Sequence, residues 1–591
     1  MRFGAELTPR GVRFRLWAPK HDRIDLSIEG KQTLRMQAGA DGWHELHLDG
    51  VGPGTLYGFV LPDGLRVPDP ASRFQPSDVH GPSEVIDPDA YAWQETAWKG
   101  RAWEECVLYE LHVGAFTAEG TFRAAAERLD ELAQLGITAI ELMPIADFPG
   151  ARNWGYDGVL PFAPDASYGR PDDLKALIDA AHARRMMVFL DVVYNHFGPD
   201  GNYIGAYAPI FTERHKTPWG AGINFDSEGS AMVRDFVVSN ALYWIEEYRF
   251  DGLRLDAVHA IADDSPLHIL DEIAARVRAA AGDRQVHLVL ENEENEASRL
   301  TRNADGRPAS YTAQWNDDLH HVLHVAATGE RTGYYGDYTG DTEKLARALA
   351  QGFAFQGEMM DYRGAPRGEP SAALPPTAFV AFIQNHDQVG NRAFGDRLTA
   401  IAPHEAVRAI AATYLLCPQI PMLFMGEESA AAQSFPFFCD FAGELADAVR
   451  NGRRNEFAKF PEFQDPEQRD RIPDPTAAAT FLSAKLRRDD ARGAHADWRA
   501  WYRSVLAVRH TEIIPRLSGI RGHAGHYDIV APGCVQVRWT LGDGTTLWLA
   551  ANLKAQSQAD VPMSPGRVLW TEGVVDPARL GAWTIRWTHA D

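Results

Sequence analysis

Cysteine is scarce in this chain: Cys106, Cys417, Cys439 and Cys534 are scattered through 591 residues without a C-x-x-C pair or any other metal-ligand spacing. That distribution speaks against a zinc site. No run of about 18 apolar residues occurs, so a membrane-spanning helix is not expected. The opening Met1-Arg2-Phe3-Gly4-Ala5-Glu6 lacks the apolar core of a signal peptide, and a cytoplasmic protein is the expectation. Positive charge is in deficit, with 58 Lys and Arg against 81 Asp and Glu and a net charge of −23. Such a surface repels phosphate backbones and anionic lipid alike, so neither nucleic acid nor membrane is an expected partner and a neutral substrate is. No low-complexity tract or internal repeat interrupts the chain.

What is present is length and order. A chain of 591 residues exceeds what one core supports, so a large central domain with satellites is expected. Apolar residues at 45% and charged residues at 24% are ordinary for a globular protein, and 16 Trp and 18 Tyr provide faces that stack on sugar rings as readily as they fill cores. Residues 1–90 alternate polar and apolar in short runs such as Val12-Arg13-Phe14-Arg15-Leu16-Trp17, the pattern of a small Ig-like β-sandwich, closed by a Pro-rich passage from Pro62 to Pro88. From Val107 the rhythm becomes strand, amphipathic helix, strand, which signals a parallel sheet. Eight candidate strands follow: Val107 to Phe116, Ala139 to Pro144, Met187 to Asn195, 252–258, Val286 to Glu291, Thr312 to Asn316, Ala378 to Gln384 and Met422 to Met425. They predict a (β/α)8 TIM barrel over 91–515, with a long excursion at 195–230 after strand three. Residues 516–591 return to short strands and predict a C-terminal all-β domain.

The chemistry gathers at strand ends, where such barrels carry their sites. Phe250 to His259 is the central stretch: on a strand, Arg254 and Asp256 share one face, and the cation keeps the carboxylate ionised as a nucleophile requires. An internal salt bridge is the plainer reading of that pair. Strand three closes with Asp191 to His196, strand five stops at Glu291, and strand seven runs into Gln384-Asn385-His386-Asp387-Gln388. Asp256, Glu291 and Asp387 would then converge on one rim, and paired carboxylates suit glycoside hydrolysis. Glu293 is the runner-up to Glu291 within Glu291-Asn292-Glu293-Glu294-Asn295-Glu296, whose later acids also read as a solvated loop.

Asp191 to His196, Gly252 to His259, Glu291 and Phe382 to Asp387 resemble, in order and spacing, the four signature regions of the α-amylase superfamily of glycoside hydrolases (family 13). Longer stretches resemble its maltooligosyltrehalose trehalohydrolase branch, among them Asn153 to Val159, Tyr194 to Tyr203, Thr217 to Gly220, Gln384 to Arg392 and Pro421 to Glu428. The resemblance implies Asp256 as nucleophile, Glu291 as acid/base and Asp387 as the carboxylate that holds the distorted sugar. Arg254, Asp191, Asn195, His196 and His386 match the shell around that ring, and Trp154 and Tyr156 match an aromatic platform that ordinary loop packing would also explain. Gln314, Trp315, Asn316, Asp317 and Asp318 match a substrate-binding stretch, while His259, Gln388, Asn391 and Arg392 are placed near the leaving sugars, with Phe435 to Phe438 as either a further sugar contact or core. The implied substrates are maltooligosyltrehalose and related α-1,4-glucans, supplied by a maltooligosyltrehalose synthase; a glucan branching enzyme or transferase is the alternative. Ala260 stands where many α-amylases place a calcium-site His partnering the residue matched by Asn195, so no metal and no cofactor is expected.

Overall fold

The computed structural model describes residues 2–487, 493–576 and 579–591. The N-terminal strands form two facing sheets. Glu6–Thr8, Gly11–Trp17, Trp43–Asp49 and Gln37–Ala38 make one, and Leu34–Arg35, Asp25–Ile28, Leu56–Val60 and Arg66–Val67 the other, with Ser83–Glu84 added alongside Leu56–Val60. The alternation does its expected work: Val12, Phe14 and Leu16 are buried while Arg13 and Arg15 are not, and Phe14 meets Tyr57 of the opposite sheet at 4.8 Å between ring centroids.

The centre is a closed barrel of eight parallel strands, numbered here β1 (Leu108–Leu111), β2 (Ala139–Leu142), β3 (Met187–Val192), β4 (Gly252–Leu255), β5 (His287–Leu290), β6 (Ala313–Trp315), β7 (Phe379–Ala381) and β8 (Ile420–Phe424). Every residue in them is buried, because helices cover the outer face and side chains fill the inner one. Except for β8, which starts two residues earlier than expected, the strands are no longer than expected, and the main difference is at their carboxyl ends. β3 stops at Val192, β4 at Leu255, β5 at Leu290 and β7 at Ala381, so the polar residues that follow leave the ladder and turn across the rim. The first strand also ends early: His112 leads into a helical turn, Val113–Phe116, where one continuous strand had been expected. The excursion after β3 folds into a turn of helix, Ile204–Tyr207, and a hairpin, Phe211–Thr217 with Gly220–Ile223. At the C-terminal end a five-stranded antiparallel sheet and a three-stranded one form the all-β region, and Trp587 ties the larger to the barrel by donating to the Ala412 carbonyl at 3.1 Å.

One buried carboxylate fixes where β4 begins. Asp251, fully buried, accepts from the Trp98 indole at 2.8 Å, the Val188 backbone N–H at 3.0 Å and Arg284 at 3.4 Å, with the His182 imidazole 2.8 Å away. These partners come from the segment before β1, the helix Pro171–Ala183, β3 and the approach to β5, so one side chain registers four segments around the strand that carries the site. Replacing it strands several buried donors. Asp251→Ala is expected to cost the barrel about 3 kcal/mol of unfolding free energy in a urea titration, and a loss below ~1 kcal/mol would contradict this role.

Candidate active site

Arg254 lies in the middle of the rim with no solvent exposure. Its Nη1 donates to Asp191 Oδ2 at 2.6 Å and to Asp256 Oδ1 at 2.9 Å, and its Nη2 donates to Glu291 Oε2 at 2.7 Å. The guanidinium carbon sits 4.0 Å over the Trp315 ring, so the ring faces the cation and closes the floor beneath it. Burial opposes the charge, but Asp191 and Glu291 outweigh it and hold Arg254 firmly protonated. Both Asp256 oxygens are thereby oriented: Oδ1 on Arg254, and Oδ2 on the Asn195 amide at 2.9 Å.

The turn after β4 adds a second constraint. Ala257 has φ +39° and ψ +49°, a left-handed conformation that costs a non-glycine residue free energy. It aims the Ala257 N–H at Glu291 Oε2, 2.8 Å away. Glu291 Oε2 is thus held both by Arg254 and by the turn after β4, while Glu293 is 58% exposed and its backbone N–H donates to His259 Nδ1 at 3.2 Å. Of the two acids left open by the sequence, Glu291 is the one in contact with Arg254. Glu294 pairs with Arg363, and Glu296 with Arg299 and Asn292.

Asp387 enters from the first turn of a short helix, His386–Gly390, capped by Asn385, whose side-chain oxygen accepts from the Gln388 N–H at 2.8 Å. Asn391 donates to Asp387 Oδ1 at 3.2 Å, and His386 Nε2 lies 3.4 Å from the same oxygen. On its other side His386 meets Glu110 of β1, through both the ring Nδ1 and the backbone N–H. Burial pulls this imidazole down, but Asp387 and Glu110 override it and push it up to about 9. An imidazolium therefore stands between two carboxylates at neutral pH. Its ring stacks at 5.0 Å on Tyr156, whose hydroxyl donates to Asp191 Oδ2 at 2.6 Å. Burial raises Asp191 to about 7 against the pull of Arg254, and burial with the neighbouring Glu291 raises Asp317 to about 7.

The remaining expected residues divide into two sets. His196 holds the Tyr156 carbonyl at 2.9 Å, contacts Asn195, and stacks 4.6 Å from the half-exposed Trp219 of the excursion hairpin. His259, Asp317, Gln388 and Asn391 line, with Glu291 and Asp387, a cavity of about 180 Å³. Gln388, Asn391 and Asp387 are shared with a groove of about 630 Å³ that Arg392 also lines, fixed there by two hydrogen bonds to Glu330 at 2.9 and 2.7 Å. The other set is withdrawn from the cleft. Gln314 is buried against Asn292 and Asn295, and Asn316 against Gly352 and Gln419. Asp318 is consumed by Arg367, Tyr338, Asn295 and the backbone N–H groups of Ala354 and Phe355. These three are corrected from sugar contacts to supports of the wall. Trp315 acts through Arg254, and Trp154, stacked at 5.5 Å on Phe435 and donating to Pro436, forms a layer behind Tyr156 and His386. Phe435 and Phe438 are buried core.

The sequence reading gave no role to Glu110, to Trp219 of the Thr217 to Gly220 stretch, or to Tyr334, which lines both the cavity and the groove beside Asp387. A charge inside the apolar run Leu108-Tyr109-Glu110-Leu111 was the available signal for the first; nothing local marks Tyr334. Asn195 is committed to Asp256 and His196. The excursion does supply one metal-capable group, His215 and Asp226 with Asp264, whose ligand atoms lie within 4.8 Å of one another. Arg214 already pairs there, with Asp264 at 2.5 Å and Asp226 at 3.5 Å, and supplies the positive charge an ion would bring.

Comparison with known proteins agrees with the barrel and its rim. Residues 71–209 match the model of the alpha-amylase catalytic domain, and residues 522–587 match a domain of unknown function. The crystal structure of a Salmonella typhimurium protein assigned to the alpha amylases covers 100% of both chains with a TM-score of 0.96 at 47% identity. The branching enzyme GlgB of Corynebacterium efficiens is 34% identical over 275 residues, 42% of this chain and 37% of its own. Malto-oligosyltrehalose trehalohydrolase of Deinococcus radiodurans is instead 42% identical over 599 residues, 98% of this chain and 95% of its own. Among the described residues no helix is long and apolar enough to cross a membrane. With that identity sustained from the N-terminal sheets through the barrel rim to the last strand, the chain belongs to the malto-oligosyltrehalose trehalohydrolase family.

Proposed function

We propose that this protein hydrolyses the α-1,4-glucosidic bond next to the terminal trehalose unit of maltooligosyltrehalose, releasing trehalose, by a retaining double displacement. The observation that carries the reading is the single Arg254 guanidinium bonded to both Asp256 and Glu291. One cation bonded to two carboxylates keeps them on the same side of the rim, as a nucleophile and its acid/base partner at the retaining spacing of roughly 5–5.5 Å require. Asp256 then attacks the anomeric carbon while Glu291 gives its proton to the departing trehalose oxygen. In the second half Glu291 takes a proton from water, whose oxygen attacks the same carbon and frees Asp256. Two inversions return the α-configuration.

Asp387 and the His386 imidazolium are suited to the hydroxyls of the ring under attack, where hydrogen bonds that tighten as positive charge develops lower the barrier. Asp191, Tyr156 and Asn195 act through Arg254 and Asp256 as positioning residues. The leaving trehalose is assigned to the side bounded by His259, Gln388, Asn391 and Arg392. Its substrate must come from a reaction that turns the reducing end of a maltooligosaccharide into a trehalose unit, the reaction of a maltooligosyltrehalose synthase. The division into a sandwich at 1–90, a catalytic barrel at 91–515 and a β-domain at 516–591 completes the proposal. A branching or transferase activity remains the rival because it uses the same carboxylates; the short match to the branching enzyme favours the hydrolase.

Three outcomes test this. Incubation with maltopentaosyltrehalose, followed by proton NMR, is expected to give trehalose as the first small product and a new reducing end that appears as the α-anomer; initial β-anomer, or glucan transfer without trehalose, would contradict it. Asp256→Asn preserves size and removes the nucleophilic charge, and is expected to lower kcat by about three or more orders of magnitude with the fold intact by circular dichroism. Finally, the raised His386 value means that its ion pairs stabilise the fold fully below the unfolded value of about 6.5 and fade as pH rises through about 9. The wild-type melting temperature should fall across that window more steeply than that of His386→Gln; parallel curves would show that the imidazolium contributes nothing.

A further inference from the structure

A large cavity lies at the other end of the barrel. It measures about 1010 Å³ and is bounded by residues that precede the strands, among them Val286 before β5, Thr312 before β6 and Thr377 before β7, with Ile520 and Gly522 of the C-terminal connection closing one side. The catalytic carboxylates follow the strands, so this space is separate from the site above. Its walls carry five arginines, Arg278, Arg284, Arg302, Arg307 and Arg521. In a chain with a net charge of −23, such a concentration of cations is a local reversal of the overall field.

Four of the wall's charged groups are already answered. Arg284 reaches Asp251 at 3.4 Å, Arg307 reaches Asp305 at 3.6 Å, and Asp283 is taken by Lys99 at 2.5 Å. Arg278 and Arg302 are not. Arg278 donates through Nε and Nη2 to the Ser310 carbonyl and through Nη2 to Thr312 Oγ1, while Arg302 donates to the carbonyls of Leu300, Tyr311 and Thr312. Among the described residues neither makes an ion pair with a carboxylate. Both guanidiniums are therefore anchored to the same short segment, 310–312, by neutral acceptors that fix their planes without cancelling their charge. Burial, and then the proximity of Arg278, lower Arg302 to about 10, against a smaller upward pull from the wall carboxylate Glu104. Arg521 adds an exposed cation, and Glu104 is the one wall carboxylate without an ion-pair partner among the described residues.

We propose that this cavity binds a phosphorylated small molecule, with the phosphate held by the guanidiniums of Arg278 and Arg302 and the remainder of the ligand in the space beside them. Guanidiniums are suited to this because their N–H groups make charge-assisted bonds to phosphate oxygens. With the Arg278 Nε and Nη2 and the Arg302 Nη1 and Nη2 engaged by 300–312, Arg278 Nη1 and Arg302 Nε are the donors that would meet the phosphate. The volume exceeds what a bare phosphate ion fills and lies in the range of sites for small metabolites. The site is distinct from the sugar cleft and does not depend on the reaction assigned to it.

The test is calorimetric titration of the full-length protein, at low ionic strength, with glucose 6-phosphate, inorganic phosphate and glucose. Saturable binding of glucose 6-phosphate, weaker binding of phosphate and none of glucose are expected. Equal affinity for the two phosphates would keep the anion site and assign it to the free ion. Arg278→Gln and Arg302→Gln should each weaken binding tenfold or more, and Asp256→Asn should leave it unchanged. Because the two partly buried arginines also brace 310–312, the exposed Arg521→Gln serves as a second variant that spares the fold, with a two- to fivefold loss expected. No saturable heat with either phosphate, or equal affinity in wild type, Arg278→Gln and Arg302→Gln, would overturn the proposal.

Discussion

One buried guanidinium balances the catalytic rim. Arg254 is the shared donor to Asp191, Asp256 and Glu291, and three carboxylates that close would repel one another out of a common geometry without a cation between them. Its own position is overdetermined: β4 carries it, Trp315 faces it at 4.0 Å, and Asp251 at the start of the strand locks the register against β3 and β5. The strain at Ala257 belongs to the same arrangement, since only the turned backbone brings that N–H onto the Glu291 oxygen that Arg254 also holds. Packing at the closed end of the strand is thereby converted into charge placement at its open end.

A second cation, His386, works on the opposite wall. Between Glu110 and Asp387 it repeats on a smaller scale what Arg254 does, and the stacked Tyr156 joins the two systems through Asp191. The rim is therefore a connected set of alternating charges rather than a group of separate acids. Such a network presents carboxylates in fixed directions in a site that excludes much of the solvent, which is the condition under which fixed charge acts most strongly on a developing oxocarbenium ion.

The barrel was legible in the sequence because each strand is a short apolar run between amphipathic helices, and the rim acids Asp256, Glu291 and Asp387 were legible because they stand at or shortly after the ends of such runs. The strand ends were not. Nothing in the residue type of Ala257 announces a left-handed backbone, so β4 reads as continuing to Val258 when it stops at Leu255. The polar run from Gln314 to Asp318 misleads for a related reason. Its charges look like a surface, yet Asp318 is neutralised by Arg367, 49 residues away in sequence, and by Tyr338 and two backbone N–H groups that only the folded chain brings near. Glu291 is preferred over Glu293 in the sequence because the apolar run stops there, and in the fold Glu291 is the one that lies beside Arg254.

The account rests on Asp256 as the atom-donating partner in a covalent step. The most direct measurement is to incubate the protein with a 5-fluoro-α-glucosyl fluoride, which forms the glycosyl-enzyme and releases it slowly, and to locate the added mass by peptide sequencing in a mass spectrometer. The account predicts a single glycosyl group on Asp256. A label on Asp191, Asp387 or Glu291 instead, or turnover of the reagent with inverted configuration and no labelled peptide, would contradict it.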